Sequence, residues 1–367
     1  MLAIMVFTNI EREKHKMKNI GILTSGGDCP GMNTAVRAAV FAAREKGIKL
    51  FGIQQGFKGL YEGNWEELTI DRVDAIHAMG GTILRTARFM RFKNMDQPQP
   101  AIDKCVANCA GKIDGLIVIG GDGSFRGARD LTLNGLPCVC LPATIDNDIS
   151  CTEYTIGYDT ALNTVMTMAD AIADTARSHD RCMVIEVMGN KAGDLTLYGG
   201  IACGATAVIA MEYGDFDFPE EGEMSSEEIT RFEKILIDRL NLAKEAGKNY
   251  YLVFLAEGVT GKKDKAGKTR YPGGVERLAQ VIQTRTGIDT RCDILAYMQR
   301  GGSPTARDRV MATQMGDYAV SLLAGGTANR VVVSECGEIK DHDILEGLNM
   351  KKAASPGDYE LAWRVSL

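Results

Sequence analysis

The length of 367 residues suggests two domains, each large enough for a core of its own. Hydrophobic residues make up 45% of the sequence and charged residues 25%, proportions typical of a soluble globular protein. The formal net charge is −6 without a basic block, which argues against nucleic-acid binding and leaves any anionic ligand to local arginines and lysines. Four histidines without a His-Glu-x-x-His motif argue against a histidine-based metal site.

The ten cysteines form no Cys-x-x-Cys pair. Most of them lie inside apolar strand or helix patterns, so we expect reduced core residues in a cytoplasmic protein. The cysteines with this pattern are Cys138, Cys140, Cys182, Cys203 and Cys292.

Residues 1–16 precede the first recognisable strand. Residues 1–10 are apolar but too short to span a membrane, and no positive charge precedes them as it does in a secretory signal. Met17 stands directly before the strand pattern, so we expect residues 1–16 to be a disordered extension or a misassigned start. Nothing else in the sequence predicts a transmembrane helix, and no membrane partner is expected.

The first strand is predicted over residues 20–24, followed by a turn with Gly26, Gly27 and Asp28 and by a helix over 34–46. A strand, a glycine-rich turn and a helix in this order can hold a phosphate on backbone N–H groups. An ordinary turn between strand and helix explains the same pattern equally well.

A second strand is predicted over residues 50–53, and the pair Gly80 and Gly81 follows further along the chain. Four basic residues come next, which either clamp a polyphosphate or form a solvated face. These residues are Arg85, Arg88, Arg91 and Lys93.

A buried strand predicted over residues 116–119 runs into a cluster of three glycines with Asp122 and Ser124. Glycines after a strand let backbone N–H groups approach a phosphate, and an aspartate among them is a candidate Mg²⁺ ligand. The other interpretation is an ordinary tight turn.

A second buried strand, predicted over residues 138–141, leads to Thr144, Asp146 and Asp148. In an extended segment these alternate side chains share one face. Both clusters follow buried strands, and ligands of open α/β sheets bind at the carboxyl ends of strands. Together the two loops therefore indicate half of a phosphoryl-transfer site, although each taken alone is also compatible with a plain loop.

Strands and helices alternate along the rest of the chain, with Gly189, Glu257 and a Gln-Arg-Gly-Gly-Ser-Pro segment at strand ends. This order predicts an α/β protein with mostly parallel sheets and a site in the cleft between two domains. Surface loops are predicted over 213–228 and 262–270. The predicted helices cover 160–178, 227–245, 278–286 and 305–323, and the predicted strands cover 181–188, 250–255 and 293–298.

Several of these segments, in their order and spacing, resemble the ATP-dependent 6-phosphofructokinase family. The similarity extends from Met17 to about Gly357 and is carried by residues 20–33, 80–89, 120–124, 142–148, 154–157, 186–189, 193–197 and 299–304.

The resemblance implies two Rossmann-like three-layer α/β/α domains with mostly parallel sheets and the active site in the cleft between them. It assigns residues 17–157 plus 300–350 to an ATP-binding domain. It assigns residues 158–299 plus 351–367 to a domain that binds fructose 6-phosphate.

The implied reaction is phosphorylation of fructose 6-phosphate at its 1-hydroxyl by MgATP, giving fructose 1,6-bisphosphate and ADP, the committed step of glycolysis. By the family pattern Asp146 removes the hydroxyl proton, Thr144 contacts the transferred group, and Arg88 stabilises its charge. Asp122 would hold Mg²⁺ through water. The positions that match ATP-binding residues are Gly27, Arg88, Phe89, Gly121, Asp122, Gly123 and Ser124.

Twelve positions match the sugar-phosphate site of the family. In this family Arg181 and Arg291 reach in from a neighbouring subunit, which implies a homotetramer with shared active sites. The twelve positions are Thr144, Ile145, Asp146, Arg181, Met188, Gly189, Glu257, Arg291, Tyr297, Met298, Gln299 and Arg300.

Two alternatives stay open. Pyrophosphate-dependent relatives tend to carry Asp in place of Gly123 and Lys in place of Ala143, and a carboxylate at Gly123 would repel the α-phosphate of ATP. Gly123 therefore favours ATP as donor. A non-catalytic regulatory relative should have lost Asp146, Asp122 or Arg181, all of which are present.

The chain departs from the family at several positions. Asn190 replaces a common Arg, with Lys191 beside it, and Tyr297 replaces a common His. In the effector site Arg37 matches, but Phe41 and Ala173 replace arginines and Thr206 replaces an acid. Loss of two cations from an anion site weakens binding, so we expect weak or absent regulation by ADP and phosphoenolpyruvate, testable as the shift of the fructose 6-phosphate saturation curve.

Overall fold

The computed structural model describes residues 17–92, 99–210, 230–260, 273–352 and 355–365. These residues form eleven strands in two sheets. The strands are β1 (Asn19–Ser25), β2 (Lys49–Ile53), β3 (Trp65–Glu67), β4 (Gly115–Gly120), β5 (Cys138–Pro142), β6 (Cys182–Val187), β7 (Ala207–Ile209), β8 (Tyr251–Ala256), β9 (Thr290–Ile294), β10 (Arg330–Glu335) and β11 (Glu338–Asp343).

Helices connect the strands and cover both sheets. They are α1 (Met32–Glu45), α2 (Phe57–Glu62), α3 (Ile70–Val73), α4 (Gln99–Cys109), α5 (Asp122–Leu133), α6 (Tyr158–Ser178), α7 (Asp194–Ala202), α8 (Arg231–Glu245), α9 (Glu257–Thr260), α10 (Gly274–Thr286), α11 (Ala306–Ala324), α12 (Ile344–Asn349) and α13 (Pro356–Arg364). Within the part of the chain that the structure describes, none is long and apolar enough to cross a membrane.

The first sheet has the strand order β11-β10-β5-β4-β1-β2-β3. Its inner strands are parallel, and only the edge strands β3 and β11 run antiparallel to their neighbours. Every residue of β4 and β5 is buried, which explains why these strands are uninterrupted apolar runs in the sequence. The short β3 and the charged β11 are edges that resist pairing with other chains.

The second sheet has the order β7-β8-β6-β9 and is parallel throughout. Because its strands run in one direction, the residues that follow β6, β8 and β9 lie at one edge. Helices α7 and α13 pack on this sheet and on each other. The domain boundaries given above stay a prediction, whereas the predicted α/β class with mostly parallel sheets is confirmed.

Two contacts fix how the long helices pack. Helix α1 lies along α11, and a Cβ at Gly316 would stand 2.6 Å from the Ala35 carbonyl oxygen, so only glycine permits this approach. Asp308 of α11 is fully buried and accepts hydrogen bonds from the backbone N–H groups of Gly157 and Thr160 at 3.0 and 2.9 Å. It thereby satisfies donors at the first turn of α6.

The predicted strand over 293–298 is wrong. The strand ends at Ile294 and is followed by a 3₁₀ turn, Ala296–Arg300. Ala296 has φ of +43°, a left-handed conformation that ends the strand. The apolar side chains that suggested a buried strand are exposed instead, Tyr297 by 79% and Met298 by 64%.

Other predicted elements agree with the structure to within a few residues. Helix α8 begins at Arg231 behind a capping box of Thr230 and Glu233, and positions 227–229 of the predicted helix lie outside the described residues. The predictions for residues 1–16, 213–228 and 262–270 lie outside the described residues.

All ten cysteines carry free thiols. Cys138, Cys140 and Cys182 are buried as expected, and burial raises the pKa of Cys138 and of Cys182 to about 12. Cys203 and Cys292 are only half-buried, which corrects the expectation that they belong to the core.

Candidate active site

Three loops meet at the carboxyl edge of the first sheet, because β1, β4 and β5 are neighbours in register. Ser25 pairs with Gly120, and Gly120 pairs with Pro142. Ser124 donates a hydrogen bond from Oγ to the Ser25 carbonyl at 3.3 Å. The structure therefore brings the β1 loop, with Gly27, next to the loop that holds the other glycines.

Helix α5 begins at Asp122 directly after β4, with Gly121 as its N-cap and no side chain capping it. The N–H groups of a first helical turn attract anions. A Cβ at Gly121 or at Gly123 would meet no described atom within 4 Å, so the space in front of this turn is open. The Asp122 side chain is 67% exposed there.

The loop that carries Arg88 and Phe89 is tied to the β1 loop, since Thr86 donates from Oγ1 to the Gly26 carbonyl at 2.7 Å. Arg88 is exposed. The Phe89 ring is half-buried and packs on Tyr61, with ring centroids 5.4 Å apart. The predicted nucleotide residues thus gather at one edge, with Arg88 reaching outward into solvent.

Residues 143–148 after β5, here named the 143–148 loop, form a turn. This corrects the extended segment on which the shared face of Thr144, Asp146 and Asp148 was argued, because Asn147 has φ of +52°. The Asp146 backbone N–H donates to Thr144 Oγ1 at 3.2 Å. The Ile145 side chain is fully buried, so only its backbone can face a ligand.

The Asp146 carboxylate is the most perturbed acid of the site. It is 8% exposed, and its Oδ1 atom has no hydrogen-bond partner among the described residues. Burial and then the charge of Asp148 raise the pKa of Asp146 to about 6, while the Arg300 guanidinium opposes the rise. Desolvation of the Asp148 carboxylate and then the charge of Asp122 also raise the pKa of Asp148.

The carboxyl edge of the second sheet forms the opposite side of the cleft. Glu257, directly after β8, accepts hydrogen bonds at Oε1 from the backbone N–H groups of Gly189 at 3.1 Å and Asn190 at 2.6 Å. A pocket of about 200 Å³ lies at this edge. Its lining residues are Glu186, Met188, Glu257, Ile294, Ala296 and Tyr297.

Gln299 is fully buried behind this pocket. Its Oε1 accepts from the Met188 N–H at 3.2 Å, and its Nε2 donates to the Ala296 carbonyl at 3.1 Å. Both of its polar atoms are therefore engaged by backbone, and Gln299 shapes the pocket.

Arg300 links the two edges. Its Nη1 atom donates to the Asp28 carbonyl at 3.4 Å and lies 2.7 Å from the place of a Cβ at Gly27. Glycine at position 27 therefore lets the guanidinium lie against the β1 loop, where its charge acts on Asp146.

Arg181 and Arg291 do not join this site. Arg181 directly precedes β6, and Arg291 of β9 pairs with Met183 near the start of that strand. Both bind Asp289, at 2.6 and 2.5 Å, and the hydrogen bond from Arg181 lowers the pKa of that carboxyl. Along the strands, Arg181 is five residues, or about 16 Å, from Glu186 of the pocket, and Arg291 is three residues, or about 10 Å, from Ile294 of the pocket.

Sequence reasoning passed over Asn147, which stands between the two aspartates and is 3% exposed. The available signal was its residue type, because asparagine adopts the left-handed conformation more readily than most residues.

Glycine loops open to an anion and a buried carboxylate on one side of a cleft, opposite a pocket that holds a second carboxylate, are typical of phosphotransferases that act on small molecules. The family model described as Phosphofructokinase matches residues 19–323. The chain belongs to the phosphofructokinase family, which confirms the resemblance seen in the sequence.

Among curated proteins, the chain is 43% identical over 351 residues to the ATP-dependent 6-phosphofructokinase of Bacillus velezensis, covering 96% of this chain and 100% of the relative. It is equally 43% identical, over 352 residues and with the same coverage, to the protein of that name from Bacillus subtilis.

Two solved structures extend the comparison. The phosphofructokinase of Saccharomyces cerevisiae has a TM-score of 0.78 at 28% identity, with 95% of this chain and 48% of the yeast chain covered, so this chain spans about half of the yeast one. The pyrophosphate-dependent phosphofructokinase of Marinobacter aquaeolei has a TM-score of 0.72 at 20% identity, with 92% and 86% covered, and shares the fold.

Proposed function

We propose that this protein transfers the γ-phosphoryl group of ATP to the 1-hydroxyl of fructose 6-phosphate, giving fructose 1,6-bisphosphate and ADP. The observation that carries the proposal is the buried Asp146 carboxylate, which follows the strand next to the open glycine loop and on which the charge of the pocket residue Glu257 acts. The 43% identity to curated ATP-dependent 6-phosphofructokinases over 96% of the chain supports the choice of substrates.

Asp146 acts as the general base. A sugar hydroxyl is a weak nucleophile, and a carboxylate in hydrogen-bond reach orients it and accepts its proton as the bond to phosphorus forms. A pKa of about 6 leaves Asp146 mostly ionised at neutral pH and more basic than an ordinary aspartate. Its unpartnered Oδ1 is the atom offered to the hydroxyl.

The nucleotide binds along the first sheet. Its phosphates lie over the first turn of α5, where Gly121 and Gly123 leave room and Ser124 adds a hydroxyl. Arg88, exposed at the cleft, folds onto the transferred phosphoryl group and stabilises its charge together with the Gly27 backbone. Phe89 lies beside the nucleotide.

Mg²⁺ fits this donor set. Mg²⁺ usually keeps several waters and binds one or two carboxylates together with substrate phosphates. Asp122 is exposed at the helix start, and its charge reaches Asp148. Asp122 would hold the ion through water, and the ion would supply charge neutralisation at the phosphates.

Fructose 6-phosphate binds at the edge of the second sheet. The Glu257 carboxylate accepts from sugar hydroxyls, Met188, Gly189, Tyr297 and Met298 enclose the sugar, and Arg300 pairs with anionic oxygens. Arg181 and Arg291 lie near the starts of β6 and β9, where they bind Asp289 and not the pocket of their own chain, so they serve the pocket of a neighbouring subunit in a homotetramer. We place this enzyme in the cytoplasm.

The test is turnover of fructose 6-phosphate by the full chain with MgATP and, in parallel, with Mg-pyrophosphate. Turnover with ATP alone, lost in an Asp146→Asn variant of unchanged oligomeric state, is the expected result. Turnover with pyrophosphate would show that the open space at Gly123 does not select the donor. A folded oligomer that is inactive with both donors would point to a regulatory relative.

A further inference from the structure

Asn147 is held more tightly than a loop residue needs to be. Its Nδ2 donates to Asp194 Oδ2 at 3.0 Å and to the Glu153 carbonyl at 3.2 Å. Its Oδ1 accepts from the Thr155 N–H at 3.1 Å. A non-glycine residue with φ of +52° persists only when its surroundings hold it there, and these bonds do so.

Lys352 completes the arrangement from far along the chain. Its Nζ donates to the Asn147 carbonyl oxygen and, at 2.8 Å, to Asp194 Oδ2. Asp194 is the first residue of α7, and its side chain is 16% exposed, against 30% for Lys352. One lysine thus joins the loop after β5 to a helix that packs on the second sheet.

We propose that Asn147, Asp194 and Lys352 form a clasp that sets the position of the Asp146 carboxylate relative to the sugar pocket, which makes Lys352 and Asp194 positioning residues for phosphoryl transfer. The proposal rests on the proposed function.

The contacts of the clasp connect the two sides of the cleft. The carbonyl that Lys352 binds belongs to the peptide between Asn147 and Asp148, one residue after Asp146. This contact therefore fixes the orientation of that peptide plane and, through it, the backbone of the 143–148 loop. Asp194 belongs to the side of the molecule that carries Met188, Gly189 and Glu257. A rotation of the 143–148 loop relative to the pocket residues changes the angle between the Asp146 carboxylate and the sugar hydroxyl.

The electrostatics make the clasp depend on all of its members. The half-buried Asp194 carboxylate receives hydrogen bonds from both Asn147 and Lys352. Removal of one partner of such an ion pair leaves the other charge uncompensated, and the remaining groups then rearrange. Because a small misplacement of a reacting group is costly, the effect should be seen in catalysis.

The experiment compares Lys352→Met with Lys352→Arg, using Lys351→Met as the matched control, since Lys351 is the exposed neighbour. We expect Lys352→Met to lower kcat about 10-fold to 100-fold with the KM for ATP within about twofold of the unmodified chain. Lys352→Arg should restore most of the activity, and Lys351→Met should leave it unchanged.

A double variant tests whether the charges act as a unit. The losses of Lys352→Met and Asp194→Asn should overlap in the double variant and not multiply, because both remove the same contact. Independent, multiplying losses would overturn the clasp, as would a Lys352→Met enzyme with unchanged kcat. If Lys352→Met does not fold, the test uses Asp194→Asn alone, and an unchanged kcat in that variant would overturn the clasp.

Hydrogen exchange separates this inference from the proposed function. In Lys352→Met the backbone amide of Thr155, which donates to Asn147, should exchange at least about tenfold faster, with Lys351→Met unchanged. An unmodified chain that is inactive with both phosphoryl donors would overturn the proposed function, and the exchange rate would still decide the clasp. An unchanged exchange rate of the Thr155 amide in Lys352→Met would overturn the clasp.

Discussion

The two edges of the cleft are built differently. At the edge of the first sheet, Asp146 Oδ1 is buried without a hydrogen-bond partner among the described residues, and Gly121 and Gly123 face open space. At the edge of the second sheet, Glu257 and Gln299 already hold neighbouring backbone. Under the proposed function, the first edge carries the reacting groups and the second binds the sugar phosphate, so variants of the first should change kcat and variants of the second should change KM.

The largest effect should follow from Asp146→Asn. The amide keeps the shape of the side chain but cannot accept the proton, so kcat should fall about 10²-fold to 10⁴-fold. The KM for fructose 6-phosphate should change little. Steady-state kinetics measure both, with circular dichroism to show that the fold is intact, and a rise in KM at constant kcat would assign Asp146 to recognition.

The same residue should carry a stability cost that depends on pH. Its pKa rises from 3.8 to about 6 on folding, so between these values the folded chain binds more protons and stability falls as pH rises. Above pH 6 the cost is complete, at about 3 kcal/mol. Asp146→Asn should therefore unfold at higher urea than the unmodified chain at pH 8 but not at pH 4, and equal midpoints at pH 8 would contradict the burial argument.

Glu257→Gln tests the recognition edge. The amide oxygen still accepts from the Gly189 and Asn190 N–H groups, so the pocket keeps its shape while its charge is lost. The KM for fructose 6-phosphate should rise about tenfold with kcat within about threefold, since a hydrogen bond to a charged group is worth about 1.5 kcal/mol. A loss confined to kcat would remove the distinction between the edges.

Asp289→Asn should have the smallest effect. Its carboxylate aligns Arg181 and Arg291 at an exposed position, where ion pairs contribute little. We expect the KM for fructose 6-phosphate to rise less than about fivefold, and more at low than at high salt. An unchanged KM at every salt concentration would show that the arginines do not need this anchor.

The sequence predicts those features whose pattern lies within a short stretch of the chain, and it does not predict contacts between distant residues. The strands β4 and β5 and the glycine loop after β4 are fixed by short apolar runs and by glycine. The end of β9 was missed because Ile294, Tyr297 and Met298 read as buried although the chain leaves the sheet at Ala296. Lys352 was missed because its contact with Asn147 lies across 205 residues, and no local pattern records it.

The placement of Arg181 just before β6, and of Arg291 near the start of β9, has a consequence for how the enzyme responds to dilution. Under the proposed sharing of sites, a separated chain has a base and a nucleotide loop but lacks two of the cations that grip the sugar phosphate. Activity per chain should then fall once the protein is diluted below the concentration at which its subunits associate. Mixed assemblies of two inactive chains, one lacking the base and one lacking Arg181, should recover part of the activity, because some pockets receive both intact halves.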